Sequence, residues 1–315
     1  DIADSFKLPL SKLKIDYDAH NNQPEGADLT DEEKEYIKHD VLIVAYALEY
    51  FYSLGFNKMT IGACALSEYK ELITKNKFDH YFPELTEDID AEIRKAYKGG
   101  FTYLNPIYKE KDVGKGVVLD VNSLYPSTMA SCKLPFGEPI YFEGKYEEDK
   151  VYDLFIQMIS CSFKIKKNKI PTIQIKNDRF HFRENEYLES SGDEIVILTL
   201  TSVDLKLFFE HYEVYDLNYI SGWKFKSING IFSSYIDKWI ARKIEATKEK
   251  NLGQRTLAKL MLNALYGKFA TSLDVQSKYP YLEDGIVKYY LSEKDTKHGL
   301  YLPIGIFITS YAREK

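Results

Sequence analysis

Asp120 closes the short apolar run Val117-Val118-Leu119-Asp120-Val121 and is followed by Asn122-Ser123-Leu124-Tyr125-Pro126-Ser127. Nucleotidyl transfer needs carboxylates on a rigid element, because two divalent ions must clamp the attacking and leaving oxygens. A carboxylate at the end of a buried strand has that rigidity. The turn after it can aim backbone N–H groups at a triphosphate, as helix starts and nests do. The same acid could equally be a plain helix N-cap, and the segment alone leaves both readings open.

A second chemical pattern lies in Arg255-Thr256-Leu257-Ala258-Lys259-Leu260-Met261-Leu262-Asn263-Ala264-Leu265-Tyr266-Gly267. Arg255, Lys259 and Asn263 are four apart and form one stripe on a helix. Leu257, Leu260, Met261 and Leu265 are expected to pack the other side. Two stacked cations with no acid between them repel unless an anion sits there. Lys259 suits a phosphate as a point charge and Arg255 as a fork. A solvated basic face is the alternative.

The elements that must position these residues are legible in outline. Thr30-Asp31-Glu32-Glu33 has the form of a capping box and predicts a helix from there to about Ser53, with Tyr36 and Asp40 on one face. A helix is expected from Glu87 to Tyr97, stopping at Gly99-Gly100. Val117 to Val121 reads as a strand. Phe155 to Ile165 and Ile170 to Lys176 read as strands, and Val203 to Tyr212 as an amphipathic helix. Tyr235 to Phe269 is expected to form two antiparallel helices broken near Asn251-Leu252-Gly253. From Thr271 onward short strand-like pieces are expected, ending in Gly305-Ile306-Phe307-Ile308-Thr309.

Composition constrains the rest. The formal net charge of −6 speaks against a nucleic-acid partner only as an average. Residues 16–49 hold ten acids and two lysines, whereas residues 236–278 hold nine Lys/Arg and four acids. A local basic face can therefore meet phosphates on an acidic molecule. The 15% aromatic content suits base stacking and Tyr-rich sheets alike. Cys64, Cys132 and Cys161 lack CxxC spacing and read as reduced thiols, neither a disulfide frame nor a zinc site. No membrane span is expected, since the longest apolar run, 41–48, is far too short. The opening Asp-Ile-Ala-Asp, with no Met, leads us to expect a start inside a longer reading frame.

Together these segments resemble the DNA polymerases of small protein-primed phages, the family B enzymes of the Bacillus podovirus type. Asp120 with Ser123-Leu124-Tyr125-Pro126-Ser127 matches the family's first palm motif. Lys259-x-x-x-Asn263-Ala264-x-Tyr266-Gly267 matches the fingers motif, with Ala264 where Ser is usual. Tyr97-Lys98-Gly99-Gly100 looks like the Tyr-x-Gly-Gly linker between exonuclease and polymerase domains, which contacts template DNA. Tyr36-x-x-x-Asp40 resembles the third exonuclease motif, and Lys12-Leu13-Lys14-Ile15 the lysine motif that accompanies it.

The resemblance implies an α+β, family B polymerase-like mosaic, truncated at both ends. Its parts would be the end of a 3'-5' exonuclease domain (1–60), the first part of the palm (61–130), an insertion that contacts the priming protein (131–228), two-helix fingers (229–272), a second insertion that encircles template (273–303) and the start of the second part of the palm (304–315). Asp120, with the Val121 carbonyl, would bind catalytic Mg²⁺ or Mn²⁺. Ser123 and Leu124 would cradle phosphates, and Tyr125 would be the sugar gate. Arg255 and Lys259 would hold the triphosphate, with Arg255 where Lys is more usual. Asn263 and Tyr266 would face the nascent base pair. Tyr97, Gly99 and Gly100 would contact DNA.

In the exonuclease part, Asp40 would bind metal, Tyr36 orient water and Lys12 steady the phosphate. The implied partners are a DNA template-primer, a deoxynucleoside triphosphate (dNTP) and a terminal (priming) protein. The implied setting is a monomer acting in the cytoplasm of a bacterial host. The family's Tyr-x-Asp-Thr-Asp hairpin does not occur here, and Asp284 and Asp295 read as polar, turn-like positions expected to lack strand flanks. The chain by itself is therefore expected to show neither robust polymerase nor exonuclease activity, while its parent would be active. The alternative is a remnant that binds DNA or priming protein without catalysis.

Overall fold

The computed structural model describes residues 2–24, 26–174, 187–272, 274–293, 295–296 and 299–315. Helices α1 (Ile2–Phe6), α2 (Tyr17–Asn21), α3 (Asp31–Ser53), α4 (Ile61–Ile73), α5 (Lys75–Tyr81) and α6 (Glu87–Arg94) come first. Then follow α7 (Leu124–Ser131), strands β1 (Lys133–Glu143), β2 (Leu154–Ile165), β3 (Ile173–Gln174), β4 (Tyr187–Leu188) and β5 (Val196–Thr201), and helix α8 (Ser202–His211). The long strand β6 (Tyr212–Asn229) leads into helices α9 (Ser233–Lys248) and α10 (Leu252–Phe269). Strands β7 (Asp274–Val275), β8 (Lys278–Glu283), β9 (Ile286–Leu291) and β10 (Asp295–Thr296) and helix α11 (Pro303–Glu314) complete the order. Residues 1–72 with 234–265 form one compact unit, and 73–233 with 266–315 form the other.

In the first unit, α3 starts where its capping box directs. The Glu33 amide donates to Thr30 Oγ1 (3.2 Å) and the Thr30 amide to Glu33 Oε2 (2.7 Å). Two of the helix-start donors are thereby satisfied, and Glu33 also accepts from Gln23 Nε2, which explains why this acid is buried. Phe6 of α1 packs on Tyr50 and Phe51 at the far end of α3. A Cβ at Gly253 would lie 2.4 Å from the Ser5 carbonyl oxygen, so only glycine allows α1 this close to the start of α10. Tyr69, Tyr235 and Trp239 form an aromatic centre, with the Trp239 indole donating to Glu68. The Tyr235 hydroxyl donates to the Met261 carbonyl (2.9 Å) and ties the start of α9 to the later part of α10. The two helices thus run antiparallel, as expected, with residues 249–251 as the break.

The second unit is built on an antiparallel sheet in the order β1-β6-β2-β5. Strand β2 alternates buried and partly buried positions, and β6 is long enough to pair with β1 on one side and β2 on the other. Ile159, Cys161, Phe163, Leu200, Leu205, Phe208 and Tyr212 fill the space between sheet and α8. The smaller hairpin β8–β9 has all its residues exposed.

Four expectations need correction. Residues 117–121 are not a strand: Val117, Val118 and Leu119 are 85%, 98% and 88% exposed. A strand exists through its neighbour's hydrogen bonds, and among the described residues none pairs with this run. The 305–309 segment is helical, inside α11, and Pro303 to Ser310 are all buried. Burial on every side erases the periodicity that separates helix from strand, while Pro303 in the first turn fits a helix start. Finally, of 170–176 only Ile173–Gln174 forms a strand; Ile175 and Lys176 lie outside the described residues. The Glu87 helix is also shorter than expected, ending at Arg94.

Candidate nucleotide and DNA site

The second unit brings together residues that are far apart in sequence. Ser123 precedes α7 with φ 54°, a left-handed conformation that costs a non-glycine residue about 1 kcal/mol. It turns the chain so that Leu124 and Tyr125 open α7, while Pro126 is buried beneath. Tyr125 stacks on Tyr266 with ring centroids 4.4 Å apart and planes at 23°. Burial, followed by the nearby Tyr125 and a hydrogen bond with it, pushes the Tyr266 hydroxyl up to about 12. Tyr97 is half-buried and raised too, chiefly by desolvation and then by Tyr125. The three tyrosines are neighbours.

Gly100 explains the second glycine of Tyr97-Lys98-Gly99-Gly100. A Cβ there would sit 3.0 Å from the Tyr125 hydroxyl, tighter than side chains normally pack. Residues 97–105 have no helix or strand, so something else must hold them. Arg313 holds the start of the segment, donating to the carbonyls of Lys98 (3.0 Å) and Gly99 (2.9 Å), and Tyr187 Oη accepts from the Thr102 amide (3.2 Å) further along. Arg313 in turn is forked onto Asp204. Sequence reasoning did not find Asp204, Ser310 or Arg313, because residues 109 apart leave no local spacing to read.

Asp120 and Val121 are exposed, upstream of α7. Among the described residues no three His, Cys, Asp or Glu side chains converge as a metal site. Mg²⁺ requires near-octahedral oxygen ligation. Asp120 with the Val121 carbonyl, and Asp40 in the first unit, each offer only part of such a set. Asp90 is engaged elsewhere: it is buried and bound twice by Arg94, at 2.7 and 3.1 Å.

In the first unit, Arg255 and Lys259 are exposed on α10, with Asn263 half-buried behind them. Neither cation has an acidic partner among the described residues. The opposite side is Leu257, Ala258, Met261, Leu262 and Leu265; Leu260, expected there, is 49% exposed and belongs to the outer face. The helical drift of 100° per residue favours 257, 258, 261, 262 and 265 as one stripe and carries 260 outside it. Tyr266, one turn beyond Asn263, completes the helix stripe at its C-terminal end.

The exonuclease-like residues also meet. Lys12 Nζ lies 6.0 Å from the Tyr36 ring centroid, and the Tyr36 and Tyr17 hydroxyls are 2.9 Å apart. The bond with Tyr17, then desolvation, then a bond with Asp40 raise Tyr36 well above an ordinary phenol. Tyr17 is a member of this cluster that the sequence pattern did not reveal.

Comparison with known proteins decides the family. All of residues 1–315 match the family described as DNA polymerase type B, organellar and viral. The chain belongs to that family. It is 51% identical to the DNA polymerase of Bacillus phage phi29 over 313 residues, covering 99% of this chain and 53% of that protein. It is 32% identical to the DNA polymerase of Streptococcus phage Cp-1, covering 99% of this chain and 55% of that one. A solved phi29 DNA polymerase, complexed with primer-template DNA and incoming nucleotide substrates, superposes with a TM-score of 0.90 at 50% identity, covering 99% of this chain and 54% of that chain. The type B polymerase chain thus spans about half the length of these relatives, and its α+β architecture is theirs.

Proposed function

We propose that this chain is the central part of a protein-primed, template-directed DNA polymerase with an associated 3'-5' exonuclease. The observation that carries the reading is the meeting of Tyr97, Gly100, Tyr125 and Tyr266 in one unit. A DNA-contacting linker, a sugar gate and a base-pair-facing tyrosine are the parts that must share one place if a nucleotide is to be judged against a template. Tyr125 excludes a 2'-hydroxyl, Tyr266 and Asn263 border the nascent pair, and the amides around Ser123 and Leu124 face the phosphates. Arg255 and Lys259 hold the triphosphate. Lys12, Tyr36 and Asp40 serve the exonuclease, and Tyr97, Gly99 and Gly100 the template strand. The domain limits follow the proposed mosaic, with 131–228 meeting the priming protein and 273–303 surrounding DNA.

Asp120 and the Val121 carbonyl supply part of the ligand set for a Mg²⁺ or Mn²⁺ ion, which when bound would polarise the transferred phosphate. With so few carboxylates the chain alone binds DNA and nucleotide without turning them over. The test is primer extension by the chain with Mg²⁺, run beside titration of a labelled template-primer duplex. Binding without extension is expected. Clear extension would overturn the inactivity of the chain, and no duplex binding at low salt would overturn its role in the polymerase.

A further inference from the structure

We propose that Asp204 and Arg313 are a positioning pair that sets the path of the 97–100 linker and, through Gly100, the place of the Tyr125 hydroxyl. The role given to the linker rests on the polymerase reading; the positioning itself does not.

The pair is almost enclosed, with side chains 7% (Arg313) and 9% (Asp204) exposed. Arg313 Nη2 donates to Asp204 Oδ2 (2.7 Å) and Ser310 Oγ (3.0 Å), and Nε donates to Asp204 Oδ1 (3.1 Å). Asp204 Oδ2 also accepts from Thr201 Oγ1 (3.0 Å) and Ser310 Oγ (2.7 Å). Thr201 caps α8, so the carboxylate is fixed to that helix start and the guanidinium to α11. A planar fork held on one edge has its other edge aimed without freedom. That remaining nitrogen, Nη1, carries both bonds to the linker, at Lys98 and Gly99.

Stability alone does not account for the arrangement, since a buried ion pair contributes little over a well-packed apolar pair. What the pair adds is direction. It takes two carbonyls of a segment with no ladder of its own and fixes them against the strand-rich part of the unit. Gly100, the next residue, then meets Tyr125.

The test uses Arg313→Lys and Asp204→Asn in this chain, with trypsin cleavage mapped by mass spectrometry. Lysine keeps the charge but cannot reach Asp204 and two carbonyls together; asparagine keeps the size but loses the charge. Cleavage after Lys98 is expected to rise about tenfold relative to cleavage after Lys111 in the neighbouring loop. A merely structural role would raise all sites together, and that result, or no change at Lys98, overturns the proposal. Ser310→Ala, which trims one bond from each partner, is the milder variant if the others do not fold, and an unchanged Lys98 ratio there also overturns it. Template-primer affinity measured on the same variants is expected to fall about tenfold with the rise at Lys98. Lost affinity with unchanged Lys98 cleavage would mean that Arg313 touches DNA itself, and the positioning claim fails. If the unaltered chain binds no duplex, the polymerase reading fails while the cleavage ratio still decides the positioning.

Discussion

Gly100 is small because of a hydroxyl belonging to another element. Gly100→Ala would place a Cβ 3.0 Å from Tyr125 Oη, so the ring must yield by a few tenths of an ångström or slide on Tyr266. The expected outcome is dNTP binding weakened by several-fold with the melting temperature changed by no more than about 2 °C. Parallel nucleotide titration and thermal melting check it, and an unaltered nucleotide affinity would remove Gly100 from the gate. On α10 in the first unit, Arg255 and Lys259 repel each other with nothing bound. Lys259→Ala should therefore leave the free chain as stable or slightly more so, while dNTP affinity drops about tenfold. A variant that melts lower and binds as before would assign the lysine to structure.

At the scale of the element, the most readable feature was the start of α3. Thr30→Ala removes the Oγ1 that accepts from Glu33 and is expected to cost about 1 kcal/mol, measured by urea unfolding. A second prediction concerns the loop between β1 and β2. Lys224 first, then the amides of Val151 and Tyr152, lower Asp149 from 3.8 to about 2. A depressed carboxylate contributes stability that is complete above the unfolded pKa and lost as pH falls through the folded one. The loop should therefore loosen between about pH 4 and pH 2, and Asp149→Asn should abolish that step in an acid titration followed by tyrosine fluorescence.

The same scale shows why some elements were legible and others were not. A capping box is local, four residues long, and its physics needs no partner. The α9–α10 break, read near Asn251-Leu252-Gly253 from a local turn signal, lies two residues earlier at 249–251, with Leu252 and Gly253 already in α10. Val117 to Val121 misled because β-prone composition states a preference, whereas a strand requires a second chain segment. Gly305 to Thr309 misled because a helix buried all round looks like a buried strand. The motif residues were proposed from family resemblance, and three of them, Tyr97, Tyr125 and Tyr266, are neighbours in the second unit. Asp204 and Arg313 stayed hidden, since only the packing of α8 on α11 brings them together.

Across the whole molecule, charge is unevenly shared. The net of −6 hides a run of acids over 16–49 and an excess of bases over 236–278. Duplex binding by the basic part should weaken steeply as salt rises, with a log–log slope of about −0.9 per phosphate neutralised. Neutralising Lys259 and Arg255 together should flatten the slope only if those residues meet DNA backbone; an unchanged slope with weaker dNTP binding assigns them to the triphosphate. A fluorescence-anisotropy series over several salt concentrations separates the two.

Bare Val117, Val118 and Leu119 have one more consequence, which concerns handling in the tube. A β-prone run with Asp120 as its one charge and no strand partner among the described residues is a template on which another copy can lay the same run. In concentrated solution the chain should cloud and bind thioflavin before it unfolds. Val118→Lys, which sets a charge in the middle of that run, should keep it clear.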